Sequence, residues 1–81
     1  MESEQPRPDA RRSSALVKRS LTISGHRTSV SLEDAFWRQV QILAEKRAQS
    51  ISALIAQIDA ARGEANLSSA IRVFVLETAL Q

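Results

Sequence analysis

The sequence has no cysteine and no tyrosine, and among its 81 residues only one histidine, one tryptophan, two glycines and two prolines. Without cysteine there are no disulfides, no thiolate metal sites and no thiol nucleophile. A chain this short holds one domain, near the size at which a single hydrophobic core is marginal. Association with a further chain is then the simplest source of additional burial. The absence of cysteine suits a reducing compartment. No apolar run approaches the length needed to span a bilayer. Met1-Glu2-Ser3-Glu4-Gln5-Pro6-Arg7-Pro8 lacks the apolar stretch of a secretory signal, so a cytoplasmic location is expected. His26 has no second His or Cys to share a metal or a proton relay with, and no Gly-rich phosphate loop is present. Glu33, Asp34, Glu45, Asp59, Glu64 and Glu77 are scattered as solvated charges are. No catalytic residue, cofactor or metal is expected, and the chain does not read as an enzyme.

Acidic residues are also missing from one particular place. Residues 1–9 carry three acids and one arginine, and residues 33–81 carry six acids against five bases. Residues 10–32 carry Arg11, Arg12, Lys18, Arg19 and Arg27 and no acid at all. The excess positive charge lies in one acid-free block, which favours an anionic partner.

That block ends in Arg27-Thr28-Ser29-Val30-Ser31-Leu32, which alternates as a strand does. Thr28, Val30 and Leu32 share one face and Arg27, Ser29 and Ser31 the other. A single strand is not stable alone in so small a protein. Its expected partner is its own copy in a second chain. Upstream, Leu21-Thr22-Ile23 is brief and strand-like, and Ser24-Gly25 offers a turn. Either it forms a hairpin with residues 26–32 or it is an ordered arm covering an edge; the arm is the expectation. Residues 1–18, rich in Arg, Ser, Pro and Glu, read as a disordered basic arm, and residues 19–81 as the folded domain.

Three helices follow. Phe36, Val40, Leu43 and Ala44 make an i, i+4, i+7, i+8 stripe over roughly 33–48, widened by Trp37 and Ile42. Ser31 with Asp34 resembles a capping box for this helix. Ser50 caps a second helix over roughly 51–62, whose stripe is Ile51, Leu54, Ile55 and Ile58 and whose stop is Arg62-Gly63. Asn66 caps a third over roughly 67–80. It carries one stripe of Leu67, Ala70, Ile71 and Phe74 and another of Val73, Leu76 and Leu80. A helix apolar on nearly all sides is buried on more than one of them, and here that implies a subunit interface.

Arg27-Thr28-Ser29-Val30-Ser31-Leu32-Glu33-Asp34 and Gln49-Ser50-Ile51-Ser52-Ala53-Leu54-Ile55, at their spacing, resemble the ribbon-helix-helix DNA-binding proteins, the class of Arc, MetJ and CopG. A longer run is more specific. Lys18-Arg19-Ser20-Leu21-Thr22-Ile23-Ser24-Gly25-His26-Arg27-Thr28-Ser29, then Ile58-Asp59-Ala60-Ala61-Arg62-Gly63 and Asn66-Leu67-Ser68-Ser69-Ala70-Ile71-Arg72-Val73-Phe74-Val75, resembles a small bacterial ribbon-helix-helix-domain family of mostly uncharacterised proteins. The likeness covers about residues 18–80. It implies a mainly α fold with a short β-ribbon, an intertwined homodimer whose antiparallel ribbon enters the major groove of double-stranded DNA. The upstream strand-like segment and the third helix depart from the simple class pattern.

On this reading Arg27, Ser29 and Ser31 are the base-contacting residues. Arg27 can donate two hydrogen bonds to guanine O6 and N7. The hydroxyls both donate and accept and read less sharply, and Ser31 has its competing role as a helix cap. The resemblance puts a backbone phosphate at the helix start Ser50-Ile51-Ser52, where unpaired N–H groups meet an anion. Lys18 and Arg19, with Arg11 and Arg12, add phosphate attraction. The expected function is that of a sequence-specific transcriptional regulator. The alternative is an antitoxin-like or adaptor protein whose ribbon only dimerises and whose third helix binds a partner protein.

Overall fold

A computed structural model describes residues 14–81. Among them the order is β1 (Leu16–Ile23), β2 (His26–Glu33), α1 (Asp34–Lys46), α2 (Ile51–Ala61) and α3 (Leu67–Ala79). The molecule is mainly α with a two-stranded antiparallel ribbon laid over the helices, as expected, and the third helix is present.

The ribbon is made differently from the expectation. Leu21-Thr22-Ile23 is not an arm, and β2 does not lack a partner in its own chain. β1 pairs with β2 along its whole length, from Leu16 opposite Glu33 to Ile23 opposite His26. The hinge is Ser24-Gly25, with φ of 52° and 86°. Two positive φ values make a type I′ turn, whose twist matches that of the flanking strands. Gly25 adopts this conformation without penalty, whereas at Ser24 it costs about 1–2 kcal/mol. The strand also begins before residue 19. Leu16, Val17 and Lys18 belong to β1, while residues 1–13 of the expected arm lie outside the described residues.

Alternation then sorts the side chains. Val17, Leu21 and Ile23 of β1 and Thr28, Val30 and Leu32 of β2 face the helices; Ile23, Val30 and Leu32 are buried. Beneath them Trp37, Val40 and Ala44 of α1, Leu54, Ile55 and Ile58 of α2, and Ile71 and Val75 of α3 complete one core. The α1 stripe is rotated slightly from its expected position. Trp37 is buried, Phe36 is half-buried, and Ile42 is exposed. Burying Trp37 is possible because its Nε1–H donates to the Val17 carbonyl at 2.8 Å, so the indole brings its polar atom to a partner. This bond clamps α1 to β1.

The helix ends follow local rules with one exception. Ser50 accepts from the Ala53 N–H at 3.0 Å and Asn66 from the Ser69 N–H at 3.2 Å, as N-caps do. The expected Ser31–Asp34 capping box does not form. The N-cap of α1 is Glu33, without a side-chain cap bond. The reason is the hairpin: the Asp34 N–H donates instead to Ala15 O at 2.9 Å, one more rung beyond β1. Ser31 is thereby released from the role that competed with an outward one.

At the other end of α1, Ala48 has φ of 56°. Its N–H donates to Glu45 O, and the Gln49 N–H to Ala44 O, at 3.0 and 2.9 Å. This is a Schellman ending with alanine where glycine is usual. The left-handed conformation costs an L-residue about 1–2 kcal/mol, and glycine returns only part of that through its freer unfolded chain. Ala48 is exposed, so no packing is at stake. Ala48→Gly is expected to stabilise the protein by about 0.5–1 kcal/mol, read as a higher urea midpoint with an unchanged slope.

Candidate nucleic-acid interface

The hairpin register decides which polar residues share a surface. Residues directly opposite in an antiparallel pair point to the same side. Lys18 lies opposite Ser31, Ser20 opposite Ser29, and Thr22 opposite Arg27. These six face away from the helices. All are exposed except Ser31, which is half-buried. These six supply two cations and four hydroxyls and no carboxylate.

Glu33, at the end of the same row, has its charge drawn elsewhere. Its carboxylate receives both Nε and Nη2 of Arg72, on α3, at 2.9 and 3.2 Å. The Arg72 hydrogen bond, helped by Glu33's own backbone, holds this carboxyl below its ordinary value of 4.5. Arg72 also lies over the Phe36 ring, 5.9 Å from its centroid. The pair ties the end of the ribbon to the last helix and removes the acid nearest the polar face. Asp34 is likewise engaged, by Arg38 at 3.1 Å.

The structure brings the expected base-contacting residues Arg27, Ser29 and Ser31 into one row. Of the residues expected at phosphates, Lys18 joins the outward face itself. Arg19 does not. It sits opposite Val30 on the helix side, with its guanidinium 5.0 Å from the centre of the Trp37 ring. Ser50, Ile51 and Ser52 form the start of α2, as expected. The Ser50 hydroxyl is spent on Ala53, so an anion there would meet backbone N–H groups rather than that side chain. Ser20 and Thr22 were missed as surface partners of the site. The signal was present, since Lys18, Ser20 and Thr22 alternate with Val17, Leu21 and Ile23. It is visible only when the upstream strand is taken as eight residues rather than three. His26 stands exposed at the turn, opposite Ile23.

A second surface lies between α2 and α3. It is a cleft of about 400 Å³ lined chiefly by Leu54, Ile58, Ala70, Val73 and Phe74, with Arg62 and Glu77 also lining it. Arg62 is held by Asp59 at 2.6 Å and donates to the Ala65 carbonyl. Val73, Leu76 and Leu80 at the end of the chain are 51%, 57% and 77% exposed. The second apolar stripe of α3 is therefore open within a single chain. Among the described residues no group of His, Cys, Asp or Glu is arranged to hold a metal. No helix among them is long and apolar enough to cross a membrane.

Residues 16–79 match the ribbon-helix-helix domain family. The chain belongs to that family. Ribbon-helix-helix proteins are in general of the DNA-binding, regulator type. Among solved structures the chain is similar to an uncharacterized protein from Bordetella pertussis Tohama I, with 33% identity and a TM-score of 0.77. The alignment covers 86% of this chain and 60% of that one. No curated protein matches the chain.

In this ribbon-helix-helix domain the Glu33–Arg72 pair has a pH signature. A depressed carboxyl contributes stability that is complete above its unfolded value, near 4.5. That contribution is lost as pH falls through the lower folded value. Arg72→Gln removes the depression. The difference in Tm between parent and variant is expected to be constant from neutral pH down to about 5 and to shrink as the pH drops further. A difference that persists unchanged in acid would show that Arg72 acts through its packing on Phe36 alone.

Proposed function

We propose that the protein is a sequence-specific DNA-binding protein, a transcriptional regulator of the bacterial cytoplasm, which acts as a homodimer and places a two-stranded antiparallel ribbon in the major groove. The observation that carries this reading is the outward face of the hairpin, cationic and rich in hydroxyls, whose one carboxylate, Glu33 at its end, is paired with Arg72. A major groove admits a two-stranded ribbon, and its base edges offer the acceptors and donors that such a face matches. Arg27, Ser29 and Ser31 contact bases. The start of α2 at Ser50, Ile51 and Ser52 meets a phosphate and fixes register rather than sequence. Arg19 contributes charge from the other side of the ribbon.

Within one chain β1 pairs with one edge of β2, and among the described residues no strand lies against the other edge, which is available to the β2 of a second chain. Val73, Leu76 and Leu80 further support a dimer, an apolar stripe that a stable monomer has no reason to expose together. Light scattering at micromolar concentration is expected to give twice the chain mass, and a stable monomer would overturn the dimer.

Mobility-shift titration of genomic fragments, including the DNA upstream of the protein's own gene, tests the central reading. Binding is expected at low ionic strength and should weaken steeply with salt, as counterion release requires. No shift at low ionic strength would sink the proposal. On a defined operator Arg27→Ala is expected to cost about 1–3 kcal/mol.

The same exposed stripe favours a second reading, that of an antitoxin-like or adaptor protein whose α3 docks a partner protein. A stoichiometric protein partner recovered with the chain, together with no DNA binding, would favour it.

A further inference from the structure

We propose that β1 is the outer strand of a four-stranded sheet in the DNA-bound dimer, and that its outward residues Lys18, Ser20 and Thr22 hold the phosphates at the edge of the major groove while β2 and its copy read the bases. The inference rests on the dimeric DNA-binding reading above.

The ladder leaves room for such a sheet. A two-residue turn closes on a hydrogen-bonded pair, here Ile23 with His26, and such pairs alternate along an antiparallel ladder. The next ones are Leu21 with Thr28, Arg19 with Val30 and Val17 with Leu32. The Asp34 N–H donates to Ala15 O at 2.9 Å, where the same alternation puts the following bond. The backbone groups of Thr28, Val30 and Leu32 are thus turned to β1, and those of Arg27, Ser29 and Ser31 to the opposite edge. Among the described residues no strand lies against that edge. A second β2 can pair there without displacing β1. Odd-numbered residues then bond only with odd-numbered ones, so Arg27, Ser29 and Ser31 of both chains fall on one face.

β1 is anchored independently of that edge. The Ser24-Gly25 turn holds one end. Towards the other, the Trp37 Nε1–H holds the Val17 carbonyl at 2.8 Å. The strand therefore stays in the sheet when the second chain arrives.

Width then divides the work. Strands lie about 4.8 Å apart, which sets the outer two of four about 14 Å apart. A major groove is about 12 Å wide and admits a two-stranded ribbon. The central pair, β2 and its copy, takes the groove. The two β1 strands lie over its rims, where the phosphates run. The outward side chains of β1 suit that position. Lys18, Ser20 and Thr22 are exposed and offer one ammonium and two hydroxyls as donors. Such groups bond phosphate oxygens and position a protein without reading sequence. Arg19 takes no part, because it points to the helix side and lies over Trp37.

The experiment titrates a defined operator and an unrelated duplex with the full chain and single variants over a range of salt. Lys18→Ala is expected to weaken both duplexes equally. It should lower the slope of log affinity against log salt by about 2, one phosphate for each chain of the dimer. Ser20→Ala and Thr22→Val should weaken both duplexes by about 10-fold and keep the slope, since neither removes a charge. Neutral methylphosphonates placed singly along the operator locate the contact. Those at the groove edge that weaken the parent should cost Lys18→Ala little further. Arg27→Ala, by contrast, should lose base preference. A changed base preference in Lys18→Ala or Thr22→Val would put β1 inside the groove and overturn the inference. Affinities and slopes equal to the parent's in all three variants would take β1 off the DNA and overturn it too; DNA binding stands in both cases. If the parent binds no duplex at low salt, the DNA-binding reading itself fails. All three positions are exposed, so the variants are expected to melt as the parent does.

Discussion

The register of one hairpin governs this molecule. Side chains on a strand alternate with a period of two, so a slip of one residue would turn every buried group outward. The Ser24-Gly25 turn, with both φ values positive, sets that register. With it in place, Ile23, Val30 and Leu32 roof the core, and Lys18, Ser20, Thr22, Arg27, Ser29 and Ser31 make a continuous polar face. The same register carries the ladder on to Ala15 and the first residue of α1. Neither the core nor the candidate interface exists without it.

Two contacts hold the ribbon on its helical base, one at each strand. Trp37 reaches the Val17 carbonyl and fixes β1; Arg72 takes the Glu33 carboxylate and fixes the end of β2. Each also modifies the electrostatics of the interface. The indole face holds Arg19 away from the outward face, and Arg72 withdraws the one carboxylate that shares the parity of that face. The groups that stabilise the ribbon thus also select which charges it presents. A partly exposed pair such as Glu33–Arg72 contributes little energy of its own in water; its effect is on where the charge sits. The third helix, absent from the simplest pattern of the family, is the element that carries Arg72.

Much of the fold was legible because local rules suffice for it. Helix periodicity, the caps Ser50 and Asn66 and the stop at Gly63 each depend on residues within a turn or two of one another. The Ser31–Asp34 capping box was also a local rule, and it failed because a distant group, Ala15 O, supplied the bond first. The upstream strand was underestimated for a related reason. Lys18 looks like tail, and Arg19 and Ser20 like the start of the domain rather than a strand, until Ser31, Val30 and Ser29 are placed opposite them. Half of the polar face was therefore visible, Arg27, Ser29 and Ser31, while Ser20 and Thr22 were not. Lys18 stood out for its charge, but its place on the outward face follows only from the pairing. The comparison of Phe36 with Trp37 is similar. Adjacent aromatics cannot both face inward, and only the Val17 carbonyl decides for the indole.

By itself the sequence determined the element types, the acid-free basic block and the alternation that separates an apolar strand face from a polar one, because these follow from residue chemistry at spacings of two to four. The tertiary structure decided which strand pairs with which. It also decided that Arg19 belongs to Trp37 and that Glu33 belongs to Arg72. Those outcomes depend on contacts between residues far apart in the chain, such as Glu33 and Arg72, separated by 39 in sequence. No short-range pattern records them, since each residue alone would be equally content with water.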